Sequence, residues 1–324
     1  MDKKPSPTAE ALARQLQETL RQKRPHWVRW VPLVAVVLFG TMGLLVWALY
    51  PAPDPPPMTV TALDTLAVAG QPATVRAYLD PEKEEAKVGS LAGLPAIFWA
   101  EPIDAPADNA VRHKVVSDEH GHATATLEPG TAPVAPFRIR QTVVSKKQKS
   151  PEDRAHIHVL PQDAPLLLVD VEDTLADLDV ALWTKTNPLN IAARPGAADA
   201  LRAARSRHKF AVAYLAVAPS LAKEYRRVRG WITVKTVEPR GLPDGPVLGR
   251  LRYDGGSVGA ARQALLGDLR QRFTGPLVAV VRTAEAAEQC LKCDIRAIAM
   301  GDGDFPEQVT RIKGWDELPG VLPQ

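Results

Sequence analysis

From Ala164 onward the chain alternates short apolar runs with longer amphipathic stretches, and this restricts the fold more than any other feature. PLLLVD (165–170), KFAVAYLAV (209–217), WITVK (231–235), PLVAVV (276–281) and IRAIAM (295–300) read as strands. RPGAADALRAARSRH (194–208), PSLAKEYRRVRG (219–230), SVGAARQALLGDLRQRF (257–273) and AEAAEQCLKC (284–293) read as helices between them. Strands joined through helices pair in parallel, because the chain must cross back over the sheet before it re-enters. The prediction is an α/β, Rossmann-like domain over 164–321, with a parallel sheet and helices on both faces. In such sheets ligands bind at the carboxyl ends of the strands. The first strand delivers Asp170 and Glu172 to that edge.

Residues 58–160 carry a different period. MTVTAL, ATVRAYL, PAIFWAE, HATATLE, FRIRQTVV and AHIHVL are short alternating runs separated by turn residues such as Ala69-Gly70-Gln71 and Pro129-Gly130. Strands at this spacing predict a β-sandwich. VVSDEHGHATATLEPG (115–130) resembles a stretch of bacterial immunoglobulin-like domains, which implies a spacer or a protein-binding module. His120/His122 and His156/His158 each share a strand face at i, i+2. No cysteine or carboxylate spacing supports a zinc site, so these read as surface or cross-strand histidines.

Residues 31–50, VPLVAVVLFGTMGLLVWALY, contain no charge. Twenty residues at about 1.5 Å each give roughly 30 Å, the thickness of a bilayer core. Trp27 and Trp30 flank one end, Trp47 and Tyr50 the other, and Lys and Arg gather before the run. The expectation is a single-pass protein of the inner (plasma) membrane with an uncleaved anchor. The basic leader, 1–30, would be cytoplasmic, and both larger domains periplasmic, beyond a stiff Pro-rich linker at 51–57. A cleaved signal peptide fits less well, since its apolar core is usually about 7–15 residues. Leu12, Leu16 and Leu20 give the leader a narrow helical stripe, for a partner contact, a surface-lying helix or a solvated tail.

LLLVDVEDTL, RPGAADALRAARSRHKFAVAYLAVAPS and GLPDGPVLGR, in that order, resemble the haloacid-dehalogenase (HAD) superfamily. Within it they are most similar to the phosphatidate-phosphatase branch that includes the lipins. The resemblance covers about 164–321. It implies that Asp170 is the nucleophile that accepts a phosphoryl group and helps hold Mg²⁺. Glu172 takes the acid/base position, with one methylene more than the family's Asp, and a shift of about 1 Å can cost on the order of 10²-fold in rate. Thr174 and Arg262 fall at phosphate-binding positions, Arg262 where the family has Lys. Ala216 stands where a phosphate-binding Thr or Ser is expected, and Ser220 comes four residues later. After PLVAVV the chain reads Arg282-Thr283-Ala284-Glu285, with a cation in the place of a metal-binding acid. GDGD (301–304) offers an alternative fourth motif that would add Asp302 and Asp304 to Asp170 and Glu172 as metal ligands.

The formal net charge of +3 makes no electrostatic case for nucleic acid as a partner. Cys290 and Cys293 form a C-x-x-C at a helix end, not at the helix start that lowers a thiol pKa, so they read as unremarkable cysteines. Lys146, Lys147 and Lys149 read as a solvated loop. The eroded motifs lead to a membrane-anchored pseudoenzyme that binds a phosphate, a phospholipid or a protein partner. Two alternatives stand beside it. One is an active Mg²⁺-dependent phosphatase on a lipid phosphate or small phosphoester; the other is a structural envelope protein.

Overall fold

In a computed structural model the chain is described over residues 7–22, 31–49, 58–81, 91–100, 111–130, 132–142, 150–176, 185–187, 190–217, 222–250 and 256–323. The linker at 51–57, Ser220 and the lysines at 146–149 lie outside these residues. Met1–Asp54 and Pro55–Gln324 are separate compact units.

The first unit holds α1 (Pro7–Gln22) and α2 (Val31–Leu49). Leu12 and Leu16 stand exposed on α1, and Thr41 on α2 donates its hydroxyl to the Val37 carbonyl at 2.8 Å. The expectation of a spanning helix at 31–50 is corrected here. Among the described residues, no helix is long and apolar enough to cross a membrane. The single-pass fold class, the inner-membrane location and the sidedness that rested on this span fall with it.

In the second unit, two sheets come first. β1 (Met58–Ala62), β3 (Ala73–Pro81) and β6 (His122–Leu127) form an antiparallel sheet in the order β1-β3-β6. β2 (Thr65–Val68), β4 (Pro95–Ala100), β5 (Arg112–Val116), β7 (Val134–Gln141) and β8 (Glu152–Leu160) form the other, in the order β2-β8-β7-β4-β5. It is antiparallel except for the parallel β2–β8 pair. Alternate residues of both sheets enter one core, including Val75, Leu79, Phe98, Phe137, Ile139 and Ile157. The period of two seen in the sequence is thus a buried face and an outward face.

β9 (Leu166–Asp170), β10 (Ala211–Ala216), β11 (Val247–Gly249), β12 (Leu277–Val281), β13 (Arg296–Met300) and β14 (Thr310–Ile312) form a third, all-parallel sheet. Its order is β11-β10-β9-β12-β13-β14, so β9 sits centrally where the order reverses. The helices are α3 (Ala197–Arg207), α4 (Ala222–Val237), α5 (Val258–Arg272), α6 (Ala284–Lys292) and α7 (Leu318–Val321). Leu167 and Val169 pack into a core with α3 and α4, whereas Leu166 and Leu168 pack into the opposite core with α5 and α6. A strand buried on both faces reads as an unbroken apolar run for this reason.

Two elements differ from the sequence reading. WITVK is the last part of α4, where Trp231 and Ile232 continue the buried stripe of Ala222, Tyr225 and Val228. Its β-branched residues suggested a strand, but packing at helical spacing outweighs that local preference. β11 takes the edge position instead, from residues 247–249.

The β layers meet the α/β layer through a polar clasp at the β1–β2 corner. Asp64 is buried there and accepts from Val247 N at 3.1 Å and His156 N at 3.0 Å. Its own N–H donates to the Tyr225 hydroxyl at 3.2 Å, which donates to the Val247 carbonyl at 2.7 Å. Arg229 on α4 donates to the Ala62 carbonyl at 2.6 Å and pairs with Asp153 on β8 at 2.8 Å. Leu66 and Val68 of β2 join the apolar core of the α/β layer.

Candidate functional site

The central strand β9 ends on Asp170, at the carboxyl edge and beside the point where the strand order reverses. That crevice is the usual ligand position in open α/β sheets. Behind Asp170 the chain closes a five-residue wide turn, Val171–Leu175, with Ala176 N donating to the Val171 carbonyl at 3.0 Å. Val171, Leu175 and Ala176 are fully buried, so the turn is held by apolar contacts. It keeps Glu172 and Thr174 inside as well, at 5% and 0% exposure. Among the described residues the Thr174 hydroxyl has no hydrogen-bond partner.

Arg262 comes to Asp170 from α5. Ser257 caps that helix by accepting from Ala260 N at 3.1 Å. Gly259 lets α5 lie close to α6, since a Cβ there would stand 2.5 Å from Gln289 and Glu285 side-chain atoms. One helical turn on, Arg262 reaches the sheet edge, and its Nη2 donates to Asp170 Oδ2 at 2.6 Å. Both residues are buried, Asp170 at 4% exposure and Arg262 at 7%. A short charge-assisted bond in so dry a place holds both groups firmly.

The other positions are less favourable to phosphoryl transfer. Ala216 ends β10 next to Asp170's neighbour in register, Leu215, and is fully buried with no hydroxyl to offer. Arg282 follows β12, the strand paired with β9 on its other side, and is exposed. Asp302 and Asp304 are exposed on the loop after β13. That strand lies two places from β9 in the sheet order. Among the described residues no three His, Cys, Asp or Glu side chains group as a metal site. The described residues do not fit Mg²⁺: Asp170 already binds a guanidinium, and a hard octahedral cation needs more oxygen donors than the described residues of this edge supply.

The structure therefore brings Asp170 and Arg262 together and keeps Glu172 and Thr174 in the buried turn that follows Asp170, while Asp302 and Asp304 are exposed after β13. Cys290 is nearby and buried, and burial pushes its thiol up to about 12 despite the charge of Arg262. It and Cys293 are free thiols. Of His120, His122, His156 and His158, three lie beside carboxylates: His120 at 3.5 Å from Glu119, His122 at 3.3 Å from Asp118 and His156 at 3.8 Å from Asp64. The clasp itself was not foreseen. The only sequence signal for it is a single acid, Asp64, between two short apolar strands.

No protein-family model matches the chain, and no curated protein matches it. Solved structures to which it is similar include HAD-superfamily hydrolases. One is a D,D-heptose 1,7-bisphosphate phosphatase from B. bronchiseptica in complex with magnesium and phosphate, 13% identical over 48% of this chain and 96% of that chain, with a TM-score of 0.39. Another is a HAD-superfamily hydrolase from Ehrlichia chaffeensis, 12% identical over 50% of this chain and 97% of that chain, with a TM-score of 0.34. At these values the likeness does not extend to an activity.

Proposed function

We propose that this protein carries a phosphatase-related α/β module that performs no phosphoryl transfer and serves as a binding module for a phosphate-bearing ligand or a protein partner. The observation that carries this is the buried 2.6 Å pair between Arg262 and Asp170. A nucleophilic carboxylate must approach a phosphorus atom with its charge offset by metal and its target held by a hydroxyl and a cation. Here the offsetting charge is a fixed side chain and the hydroxyl position is Ala216. One lost hydrogen bond to a charged phosphate oxygen is worth about 1.5–3 kcal/mol, roughly tenfold to a hundredfold in rate. Asp170 thus acts as an internal counter-ion. Arg282, at the same edge of the sheet, supports an anionic ligand over a metal cation. The sequence likeness to the lipin branch supports phosphatidate as one phosphate-bearing ligand to try. The immunoglobulin-like stretch at 115–130 supports a protein partner for the β layers.

The retained acids Asp170 and Glu172 favour the second reading, an active Mg²⁺-dependent phosphatase. The test is hydrolysis of phosphatidate and of a generic phosphoester by the whole chain, with and without Mg²⁺. The expected result is no turnover above an Asp170→Asn control that retains its circular dichroism, and no shift of the melting temperature with Mg²⁺. Turnover that needs Mg²⁺ and disappears in the control would overturn the proposal in favour of the phosphatase.

A further inference from the structure

The sheet β2-β8-β7-β4-β5 turns one face away from the core, and its register sets out what that face carries. Directly opposed residues of antiparallel strands share a face. Trp99 on β4 lies opposite Arg112 on β5 and Arg138 on β7, and Arg138 lies opposite Arg154 on β8. Two residues along, Ile97 lies opposite Lys114 and Arg140, and Arg140 lies opposite Glu152. The intervening residues Phe98 and Ile139 are buried, and Asp153, between Glu152 and Arg154, accepts from Ala62 N at 2.9 Å, so both rows point outward. Among the described residues five cations and one acid stand on this sheet face, in a chain whose formal net charge is +3.

Glu152 is held by Arg138 at 2.8 Å and by Arg140 at 2.7 Å. Arg112 and Lys114 are exposed and have no acidic partner among the described residues. Cations on an edge strand such as β5 can serve to discourage strand pairing. That role does not extend to β7 and β8, which are inside the sheet. A concentration of one sign of charge attracts and orients an opposite partner.

The arrangement also restricts the partner's shape. The cations stand in two files, on β5 and on β7 with β8, and Trp99 and Ile97 form an apolar strip on β4 between them. The β5 and β7 files are about 10 Å apart, and the two rows about 7 Å. A single nucleic-acid strand keeps its phosphates on one side and needs successive rings for its bases. Here the strip has one aromatic ring, Trp99, with the Arg140 guanidinium carbon 5.7 Å from its centroid. A pyranose chain whose successive rings turn by half a revolution presents carboxylates to both sides and apolar C–H faces to the middle. We propose that this sheet face binds an acidic polysaccharide, a uronate-containing pyranose chain lying along β4.

The test uses the whole chain and measures binding of polygalacturonate, of a neutral glucan and of a single-stranded oligonucleotide of matched charge, at low and at physiological salt. Polygalacturonate is expected to bind at least about tenfold more tightly than either other polymer. Loss of two charge-assisted contacts in R112Q/K114Q should weaken it by at least about tenfold while circular dichroism is unchanged. Trp99→Leu should narrow the preference over the oligonucleotide. Equal or tighter binding of the oligonucleotide would overturn the proposal, as would full binding by R112Q/K114Q or no binding of polygalacturonate at either salt. Binding that emerges only in E101Q/D104N/D108N would make the chain's own acidic 101–110 segment the occupant, and would equally overturn it.

Discussion

Arg262 Nη2 and Asp170 Oδ2 stand 2.6 Å apart, with the two side chains only 9% and 6% exposed. A buried ion pair contributes little net stability over a well-packed apolar pair, but removing one partner strands the other charge in a dry site. Asp170→Leu and Arg262→Met should therefore each destabilise the protein by about 3–5 kcal/mol. The double change D170L/R262M should recover most of that loss. Urea unfolding of the three variants checks this, and losses that simply add would show that the two side chains do not depend on each other.

The clasp gives a second prediction. Gly249 lies against the Tyr225 ring, and a Cβ there would stand 2.4 Å from it. Gly249→Ala should push the ring aside and break its bonds to Asp64 N and the Val247 carbonyl. Asp64→Ala should leave Val247 N and His156 N buried without their acceptor, at about 1–3 kcal/mol for each group. The expected outcome is a lower melting temperature for both variants, with a double variant less destabilised than the sum. A neutral Asp64→Ala would remove the clasp from any account of how the layers hold together.

Acidification should loosen the same corner. Burial lowers the His158 pKa below the usual histidine value, with His156 adding to the effect and Asp64 and Asp244 opposing it. A histidine whose folded pKa is depressed contributes stability that is present above its unfolded pKa, about 6.5, and is lost as pH falls through the folded value. Burial would raise Asp64, but contact with His156, the charge of Arg229 and the Val247 N–H together hold it below the usual carboxylate range. Its contribution is present above about 3.9 and disappears only at lower pH. Melting temperature should thus decline between pH 7 and 5 and fall further near pH 3. His158→Gln should flatten the first decline and leave the second.

The two thiols should behave differently. Cys290 is fully buried with its pKa pushed up to about 12, whereas Cys293 is partly exposed. Reactivity follows the thiolate fraction and access. One thiol per native chain should react with an aromatic disulfide reagent near neutral pH, and two after denaturation. Two fast thiols in the native protein would contradict the burial of α6 against its sheet.

Much of the α/β layer was legible from local pattern. Leu166–Val169 are apolar without interruption because both faces of β9 are covered, and the acids begin where the sheet ends. The same logic placed α3, α5 and α6, and the alternation along β3, β6 and β7. It failed at Trp231–Lys235, where bulky residues that favour strands pack at helical spacing. It was silent on residues 247–249, whose three residues carry no period of their own.

The sequence by itself determined which stretches are apolar, at what period, and therefore which segments can be strands or helices. That information lies between near neighbours in the chain, where side-chain spacing follows directly from backbone geometry. Only the tertiary structure decided which charges meet. Asp170 and Arg262 are 92 residues apart, and Asp64 and Val247 are 183 apart. Whether a buried carboxylate becomes a nucleophile, a metal ligand or a counter-ion depends on which group the strand order and helix packing bring within about 3 Å of it. Coulombic and hydrogen-bond energies depend on distance and burial, and neither quantity is defined until the layers have closed.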